Sequence, residues 1–177
     1  MKTQFDTILI IAGSGRNVGK TTIACQLIES EKEKNVYAVK ITPHFHSITP
    51  GLIEIEKNDN WIIFEETNAN TSKDTSRYLK SGAKKSYLIQ VVDTGLETAF
   101  NQLLENLPKL NPIIIESAAL IEIIKPGLSL FVSSGKNKNN LKDKNLNVVS
   151  DLTFTFDGKN FQPSPQKISF NKKWTLL

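Results

Sequence analysis

The sequence predicts a single α/β domain with three layers, in which helices cover both faces of a mostly parallel central sheet. Continuous apolar runs such as residues 7–12 are typical of strands that are covered on both sides. Segments with strand patterns alternate along the chain with segments of helical spacing. The 177 residues are 39% hydrophobic and 23% charged, and no repeat or linker divides them. Residues 1–177 are therefore expected to form one domain.

The first strand, helix and second strand form a βαβ unit. Residues 7–12 (TILIIA) are the first strand, and a glycine-containing turn follows. Residues 19–34 are a helix, with Ile23 and Leu27 at helical spacing and a charged end. Residues 35–41 (NVYAVKI) are a second buried strand. The crossover between these parallel strands is expected to be right-handed.

The middle of the chain predicts an inserted β-hairpin and a short helix. Residues 52–57 (LIEIEK) and 61–66 (WIIFEE) alternate around an Asn-Asp-Asn turn at 58–60. That arrangement is typical of a hairpin. Residues 72–81 are predicted to form a helix that ends at Gly82.

Three strands and a helix are predicted in the second half of the chain. The strands are residues 86–92 (SYLIQVV), 112–116 (PIIIE) and 128–133 (LSLFVS). The residues Thr-Gly-Leu-Glu at 94–97 fit a capping box, which predicts a helix from there to about residue 107.

The C-terminal part has weaker patterns. Residues 147–149 and 152–156 are short strand-like runs, and a proline-containing tail follows. A lysine run at 136–144 (KNKNNLKDK) lacks the interleaved aromatic residues on which single-stranded nucleic acid stacks. With a net charge of +4 for the whole chain, we interpret the run as a solvated loop and expect no nucleic-acid partner.

Composition also bears on the compartment. No run approaches the roughly 18 apolar residues that a transmembrane helix needs, and the N-terminal apolar run is too short for a signal peptide. The single cysteine, Cys25, excludes an internal disulfide and a cysteine-based zinc cluster. We therefore expect a cytoplasmic protein with no membrane partner.

The turn after the first strand has the features of a phosphate-binding loop. Its glycines allow backbone N–H groups to turn inward around phosphate oxygens. The helix that begins near Gly19 directs the positive end of its dipole at the same place. Lys20 reaches the β- and γ-phosphates of a nucleotide, and the Thr21 hydroxyl is a Mg²⁺ ligand. The predicted nucleotide-binding residues are Gly13, Ser14, Gly15, Arg16, Asn17, Val18, Gly19, Lys20, Thr21 and Thr22.

The spacing of this loop departs by one residue from the strict Gly-x-x-x-x-Gly-Lys-Thr pattern. Ser14 stands where the strict pattern has glycine, and the glycine is at position 13 instead. The string GSGRNVGKTT resembles the displaced GTDTEVGKT-type loop of dethiobiotin synthetase. It also resembles the loop of the molybdopterin-guanine dinucleotide biosynthesis adaptor (the MobB family). The resemblance implies a P-loop NTPase fold.

The segment after the second strand extends this resemblance. Lys40, His44 and His46 lie in VKITPHFH, where the MobB family has a Lys-His-x-x-His-like segment and dethiobiotin synthetase has Lys-Pro. Lys40 is expected at the carboxyl end of a parallel strand, where it neutralises phosphate charge; the alternative is a solvated lysine. The two histidines are either metal or phosphate contacts or ordinary loop residues.

The stretch at 72–83 (SKDTSRYLKSGA) is similar to the Lys-Asp-Ser-x-Arg…Ala-Gly-Ala stretch of the MobB family. The resemblance implies that Asp74 joins the Mg²⁺ shell or orients water, and that Arg77 faces an anionic ligand. The alternative for Asp74 is a helix start, where the dipole alone favours a carboxylate.

Glu116 ends an apolar strand, which is the layout of a Walker-B acid that holds Mg²⁺. The alternative is a carboxylate at a helix N-terminus. Both families have Glu-Gly here, whereas this chain has Glu116 followed by Ser117, which argues against dethiobiotin synthetase activity. Asp93 is a competing acid, although its position just before a predicted helix favours a capping role.

The leading hypothesis is a Mg²⁺-dependent protein that binds ATP or GTP with slow NTPase activity, similar to the adaptor of molybdenum cofactor biosynthesis. The predicted catalytic residues are Lys20, Lys40 and Glu116, and the predicted Mg²⁺ ligands are Thr21, Asp74 and Glu116. One alternative is an ATP-dependent ligase or small-molecule kinase resembling dethiobiotin synthetase. Another is a nucleotide-gated interaction module without turnover. A second small anionic ligand, a partner enzyme and a homodimer formed through the hairpin edge are the further partners considered.

Overall fold

The fold is described from a computed structural model, which covers residues 2–134 and 150–177 apart from the side chain of Asp93. The predicted loop at 136–144 and the strand-like run at 147–149 lie outside the described residues. The helices are α1 (Lys20–Glu31), α2 (Asp74–Lys80) and α3 (Leu96–Leu104). The strands are β1 (Thr3–Gly13), β2 (Tyr37–Thr42), β3 (Leu52–Lys57), β4 (Trp61–Glu66), β5 (Lys85–Val91), β6 (Ile113–Glu116), β7 (Ile124–Ser134), β8 (Leu152–Phe156), β9 (Phe161–Gln162), β10 (Ile168–Asn171) and β11 (Lys173–Leu176).

Nine of these strands form one mixed sheet in the order β3-β4-β5-β2-β6-β1-β7-β8-β9. The inner strands from β5 to β8 are parallel neighbours. At the two sides, β3 and β4 and also β9 pair antiparallel. The prediction of an α/β protein is confirmed at this level, because the structure has a large, mostly parallel mixed sheet and few helices.

The apolar run in β1 is continuous because both faces of the strand are covered. Successive side chains of a strand point to opposite faces. Ile8 and Ile10 accordingly belong to the hydrophobic cluster that includes α3, and Leu9 and Ile11 belong to the cluster that includes α1. All four side chains are fully buried.

Helix α1 follows the prediction closely. It buries Ile23, Leu27 and Ile28 against the sheet, as their spacing indicated. The α-helix ends at Glu31, and a 3-10 turn at Lys32–Lys34 continues the chain to the predicted end.

The hairpin of β3 and β4 has the predicted bounds and joins the edge of the main sheet, with β3 outermost. The side chain of Asn58 shapes its turn, because Oδ1 accepts hydrogen bonds from the backbone N–H groups of Asn60 (2.8 Å) and Trp61 (3.0 Å). This local bonding is the usual reason why asparagine favours tight turns.

The predicted capping box before α3 is wrong. A 3-10 turn at Asp93–Gly95 precedes the helix, and Gly95 is the capping residue with no side-chain hydrogen bond. A Cβ at Gly95 would lie 2.9 Å from Cβ of Asn60, so packing against the hairpin turn selects glycine at this position. The helix also ends at Leu104, earlier than predicted.

The C-terminal tail is more ordered than its sequence pattern predicts. Strands β10 and β11 form a hairpin that buries Ile168, Phe170 and Trp174 in the cluster around α1. The indole Nε1 of Trp174 donates a hydrogen bond to the carbonyl oxygen of Thr7 (2.9 Å). The tail therefore closes one face of the sheet.

Candidate functional site

The predicted site residues converge at the carboxyl ends of the central parallel strands. In the sheet register, Glu116 at the end of β6 lies between Ile11 of β1 and Lys40 of β2. The loop that leaves β1 returns into α1 directly above this edge. Ligands of open α/β sheets bind at such strand ends.

Two glycines of the loop are required by its conformation and packing. A Cβ at Gly13 would lie 2.7 Å from the carbonyl oxygen of Val132 on the neighbouring strand. Gly19 has a φ of +104°, which side chains rarely adopt, and a Cβ there would lie 2.7 Å from the ring of Phe156. A Cβ at Gly15, by contrast, would meet no atom within 4 Å.

Ser14 and Val18 do not line the cleft, although both lie in the predicted loop. The backbone N–H of Ser14 donates to the carbonyl oxygen of Val132 (3.0 Å). The side chain of Val18 is buried in the cluster around α1. Both residues thus anchor the loop to the body of the protein.

Lys20 is the first residue of α1, and its Nζ donates back to the carbonyl oxygen of Gly15. Burial lowers the pKa of the Lys20 amine because it removes hydration from the charged form. Glu116 raises this pKa, Lys40 lowers it and Asp74 raises it, each by a smaller effect than burial. The ammonium therefore sits where its charge is only partly compensated.

Glu116 is the most connected side chain of the site. Its carboxylate is 3% exposed. Oε2 accepts hydrogen bonds from the Thr21 hydroxyl (3.0 Å) and the Tyr78 hydroxyl (2.7 Å), and Oε1 pairs with the Lys40 ammonium. Burying a carboxylate is costly unless hydrogen bonds and a countercharge compensate for its lost hydration, and these three contacts supply both.

Tyr78 is a member of the site that sequence reasoning missed. It is fully buried, and burial together with Glu116 raises the pKa of its phenol well above the ordinary value. The hydroxyl therefore stays protonated as a donor to Glu116. A signal was present in the sequence, since Tyr78 follows Asp74 by one helical turn and shares its face of α2.

Lys40 joins the two carboxylates of the site. Its ammonium pairs with Glu116 and lies 3.3 Å from Oδ2 of Asp74. Asp74 in turn lies 3.9 Å from the guanidinium of Arg77. Asp74 is the first residue of α2, as the helix-start alternative predicts. Its carboxylate also lies beside Lys40 in the cleft, and a role toward Mg²⁺ stays a prediction.

These groups line a cleft of about 750 Å³, a size typical of small-molecule and cofactor sites. Four cationic side chains and two carboxylates face it, so the lining carries a net positive charge and favours anions. The cationic residues are Arg16, Lys20, Lys40 and Arg77, and the acidic residues are Asp74 and Glu116. Asn17 and Thr22 of the predicted loop also line the cleft.

The segment after β2 that carries His44 and His46 lines one side of this cleft. The guanidinium of Arg16 donates to Nε2 of His44 (3.0 Å), so that nitrogen acts as an acceptor. The rings of His44 and His46 lie 6.0 Å apart and both line the cleft. In the described part of the chain, no group of three or more His, Cys, Asp or Glu side chains is arranged to hold a metal ion.

The oxygen atoms near Thr21 nevertheless suit Mg²⁺ bound together with phosphates. A hydroxyl and a carboxylate oxygen lie 3.0 Å apart in the pair Thr21 and Glu116, and Mg²⁺ prefers oxygen ligands and takes few of them from protein. Asp74 lies beside this pair, because the Lys40 ammonium contacts both Asp74 and Glu116. Since the single Lys40 ammonium already contacts both carboxylates, a metal ion would compete with it.

Phe156 is a second residue that the sequence did not predict. It lies at the end of β8, lines the cleft beside Gly19, and stacks on Phe161 with ring centroids 4.4 Å apart. An aromatic residue at a strand end has no distinctive local pattern, so only the folded chain reveals it.

Comparison with protein-family models, curated proteins and solved structures finds no match for this chain. Among the described residues, no helix has the length and apolar character needed to cross a membrane.

Proposed function

We propose that this chain is a P-loop protein that binds Mg²⁺ and a nucleoside triphosphate, ATP or GTP, in the cleft at the start of α1. One observation carries the proposal. Lys20 and Thr21 begin helix α1, Glu116 ends strand β6, and the three side chains come together in the cleft. The fold we infer is the three-layer P-loop NTPase fold, similar to that of the MobB adaptor, and the setting we infer is the cytoplasm.

Lys20 is the residue that this proposal places against the β- and γ-phosphates. Its ammonium is partly stripped of water, which lowers its pKa. A bound phosphate would supply the missing countercharge, and the N-terminus of α1 attracts the same anion. Lys40 and Arg16 face the same cleft and add positive charge.

Thr21, Glu116 and Asp74 are the residues that would hold Mg²⁺. Bound Mg²⁺ would neutralise charge on the phosphates and orient them. We propose slow turnover for this protein, because Asp74 and Glu116 are the two carboxylates that line the cleft in the described part of the chain, and both are assigned to Mg²⁺, which leaves none as a base for water.

Ligand-induced stabilisation of the full-length chain tests the proposal. ATP, GTP and their diphosphates are added with and without Mg²⁺, and a ligand at 100 times its Kd is expected to add about 2.7 kcal/mol to the free energy of unfolding. Lys20→Ala is expected to abolish that gain, whereas Lys109→Ala, at an exposed lysine in the loop after α3, should retain it. Equal stabilisation of Lys20→Ala and the parent would refute the proposal.

A small-molecule kinase or ligase is the second candidate function. It is favoured by a smaller cavity beside the cleft, with which the cleft shares Lys40 and Asp74. A substrate bound there would lie next to the phosphate end of the nucleotide. ADP release that rises on addition of a small substrate would support this candidate, and release stimulated only by a protein would argue against it.

A further inference from the structure

A second cavity of about 200 Å³ adjoins the cleft between the end of β2, the start of α2 and the end of β5. We call it the side cavity. Its volume equals that of roughly seven water molecules in the liquid. It opens on the same Lys40 and Asp74 that line the main cleft. A ligand of this size would be a small metabolite rather than a nucleotide.

The floor of the side cavity is built from ordered polar side chains. Gln90 is 2% exposed and Thr75 is 4% exposed, and both line the cavity. The amide of Gln90 donates to the backbone carbonyl of His46 (3.3 Å), and the Thr75 hydroxyl donates to buried Glu66 (3.0 Å). Buried polar groups held in this way present fixed hydrogen-bonding atoms to a ligand.

The charge of the lining selects an anion. The charged side chains of the lining are Lys40, Lys73 and Asp74, and Lys40 is already paired with both Asp74 and Glu116. In the described residues, no carboxylate lies within ion-pair distance of Lys73. Lys73 is therefore the cation of the lining with which a bound monoanion would pair.

Hydroxyl groups dominate the remaining walls. Thr42, Ser47 and Thr49 line the cavity together with Thr75. The Thr75 hydroxyl donates to Glu66 and can therefore only accept from a ligand, whereas the other three hydroxyls can donate to one. Two leucines, at positions 52 and 88, supply a small apolar surface. This combination suits a compact ligand that carries a carboxylate and hydroxyl groups on a short carbon chain.

We propose that the side cavity binds a small monoanionic hydroxy acid, with its carboxylate at Lys73 and its hydroxyls on the threonine and Gln90 groups. Binding of the acid stands on the cavity alone. Its position beside a triphosphate rests on the proposed nucleotide site.

Calorimetric titration of the full-length chain tests this proposal. The probes are glycerate and lactate as monoanions, malate as a dianion, and glyceramide as the uncharged analogue of glycerate. Saturable binding is expected for at least one monoanion, with weaker binding of malate and none of glyceramide. Failure of both monoanions to bind, or equal binding of glyceramide, would overturn the proposal.

Substitutions locate the bound acid. Lys73→Gln should weaken binding of the monoanion at least about tenfold, as expected for loss of a charge-assisted hydrogen bond. Lys84→Gln, at an exposed lysine outside the cavity, should leave it unchanged. If Lys20→Ala removes binding while Lys73→Gln does not, the acid occupies the main cleft and the side cavity is not its site. ATP and GTP titrated into the same samples report separately on the proposed nucleotide site, so that either proposal can fail alone.

Discussion

Lys20 occupies a position that disfavours its own charge. Burial lowers the pKa of its amine below the ordinary 10.5 despite the attraction of Glu116 and Asp74. Between the folded and unfolded pKa values the unfolded chain binds more protons, so stability rises with pH across that window. Below the folded pKa the amine is charged in both states, and its lost hydration destabilises the fold. Binding sites often retain a destabilising charge of this kind, because a bound ligand of opposite charge compensates for the lost hydration.

The first prediction is that Lys20→Met stabilises the nucleotide-free protein at neutral pH while removing nucleotide binding. Methionine fills a similar volume without a charge to desolvate. The midpoint of urea unfolding should rise for Lys20→Met and stay within experimental error for Lys109→Met. A midpoint below that of the parent would show that the attraction of the carboxylates outweighs burial.

Tyr78 stabilises the fold through its hydrogen bond to Glu116. Its folded pKa lies well above the ordinary 10.0. The stabilisation linked to its proton is thus complete below the unfolded pKa and declines as the pH rises above it toward the folded value.

The second prediction concerns Tyr78→Phe, which removes one donor from the buried Glu116 carboxylate. The free energy of unfolding should fall by about 1–2 kcal/mol at neutral pH. Above pH 10.0, the ordinary tyrosine pKa, the stability of the variant should decline less steeply than that of the parent. Tyr37→Phe, at a half-buried tyrosine of β2, is the matched control. Parallel pH profiles for the parent and Tyr78→Phe would contradict the assignment.

At the junction of the loop with α1, both the backbone conformation and the packing require glycine at position 19. Gly19 is the residue before the helix and has a φ of +104°. Phe156 of β8 packs directly against it, so a strand late in the chain fixes the direction in which α1 begins. The orientation of the first N–H groups of the helix depends on this contact.

The third prediction is that Gly19→Ala lowers both stability and nucleotide affinity. The left-handed backbone costs about 1–2 kcal/mol for an L-residue, and the new Cβ collides with the Phe156 ring. Gly158→Ala has the same strain at a φ of +103° without a neighbouring atom within 4 Å, so it isolates the conformational cost. Gly15→Ala meets no atom and should be nearly neutral for stability. Urea unfolding measures all three variants, and equal losses for Gly19→Ala and Gly158→Ala would exclude a role for the Phe156 contact.

Across the whole molecule, the sheet separates two hydrophobic clusters. Helix α3 covers one of them, and helix α1 with the hairpin of β10 and β11 covers the other. Trp61 of β4 lies in the cluster with α3, and Trp174 of β11 lies in the cluster with α1. Both are nearly fully buried. Trp174 donates its indole N–H to Thr7, whereas the indole N–H of Trp61 has no hydrogen-bond partner in the described part of the chain.

The fourth prediction follows from this difference. Trp174→Phe should cost about 1–3 kcal/mol more than Trp61→Phe, because only the first leaves a carbonyl oxygen without its donor. Both changes remove a similar volume from a buried position, so the cavity cost is matched. Denaturant unfolding with fluorescence of the remaining tryptophan measures the difference. An equal loss in the two variants would mean that the C-terminal hairpin is not held through this bond.

Local features of the sequence determine much of this architecture. The strand pattern of β1, the helical spacing of α1 and the hairpin turn at Asn58 are each visible in one contiguous stretch of residues. The prediction of a glycine-rich loop between β1 and α1 is local as well. Such features are visible in the sequence because the periodicity and turn chemistry that form them are contiguous.

The tertiary structure alone decided how the distant groups of the site are bonded to one another. Thr21 and Glu116 are separated by 95 positions, yet they share a hydrogen bond. The donor role of Tyr78, the contact of Phe156 with Gly19 and the closing of one face by β10 and β11 likewise depend on strand order and register. The glycine-rich loop between β1 and α1 could therefore be predicted from the sequence. The buried network around Glu116 required the fold, because hydrogen bonds and packing between distant segments leave no periodic pattern along the chain.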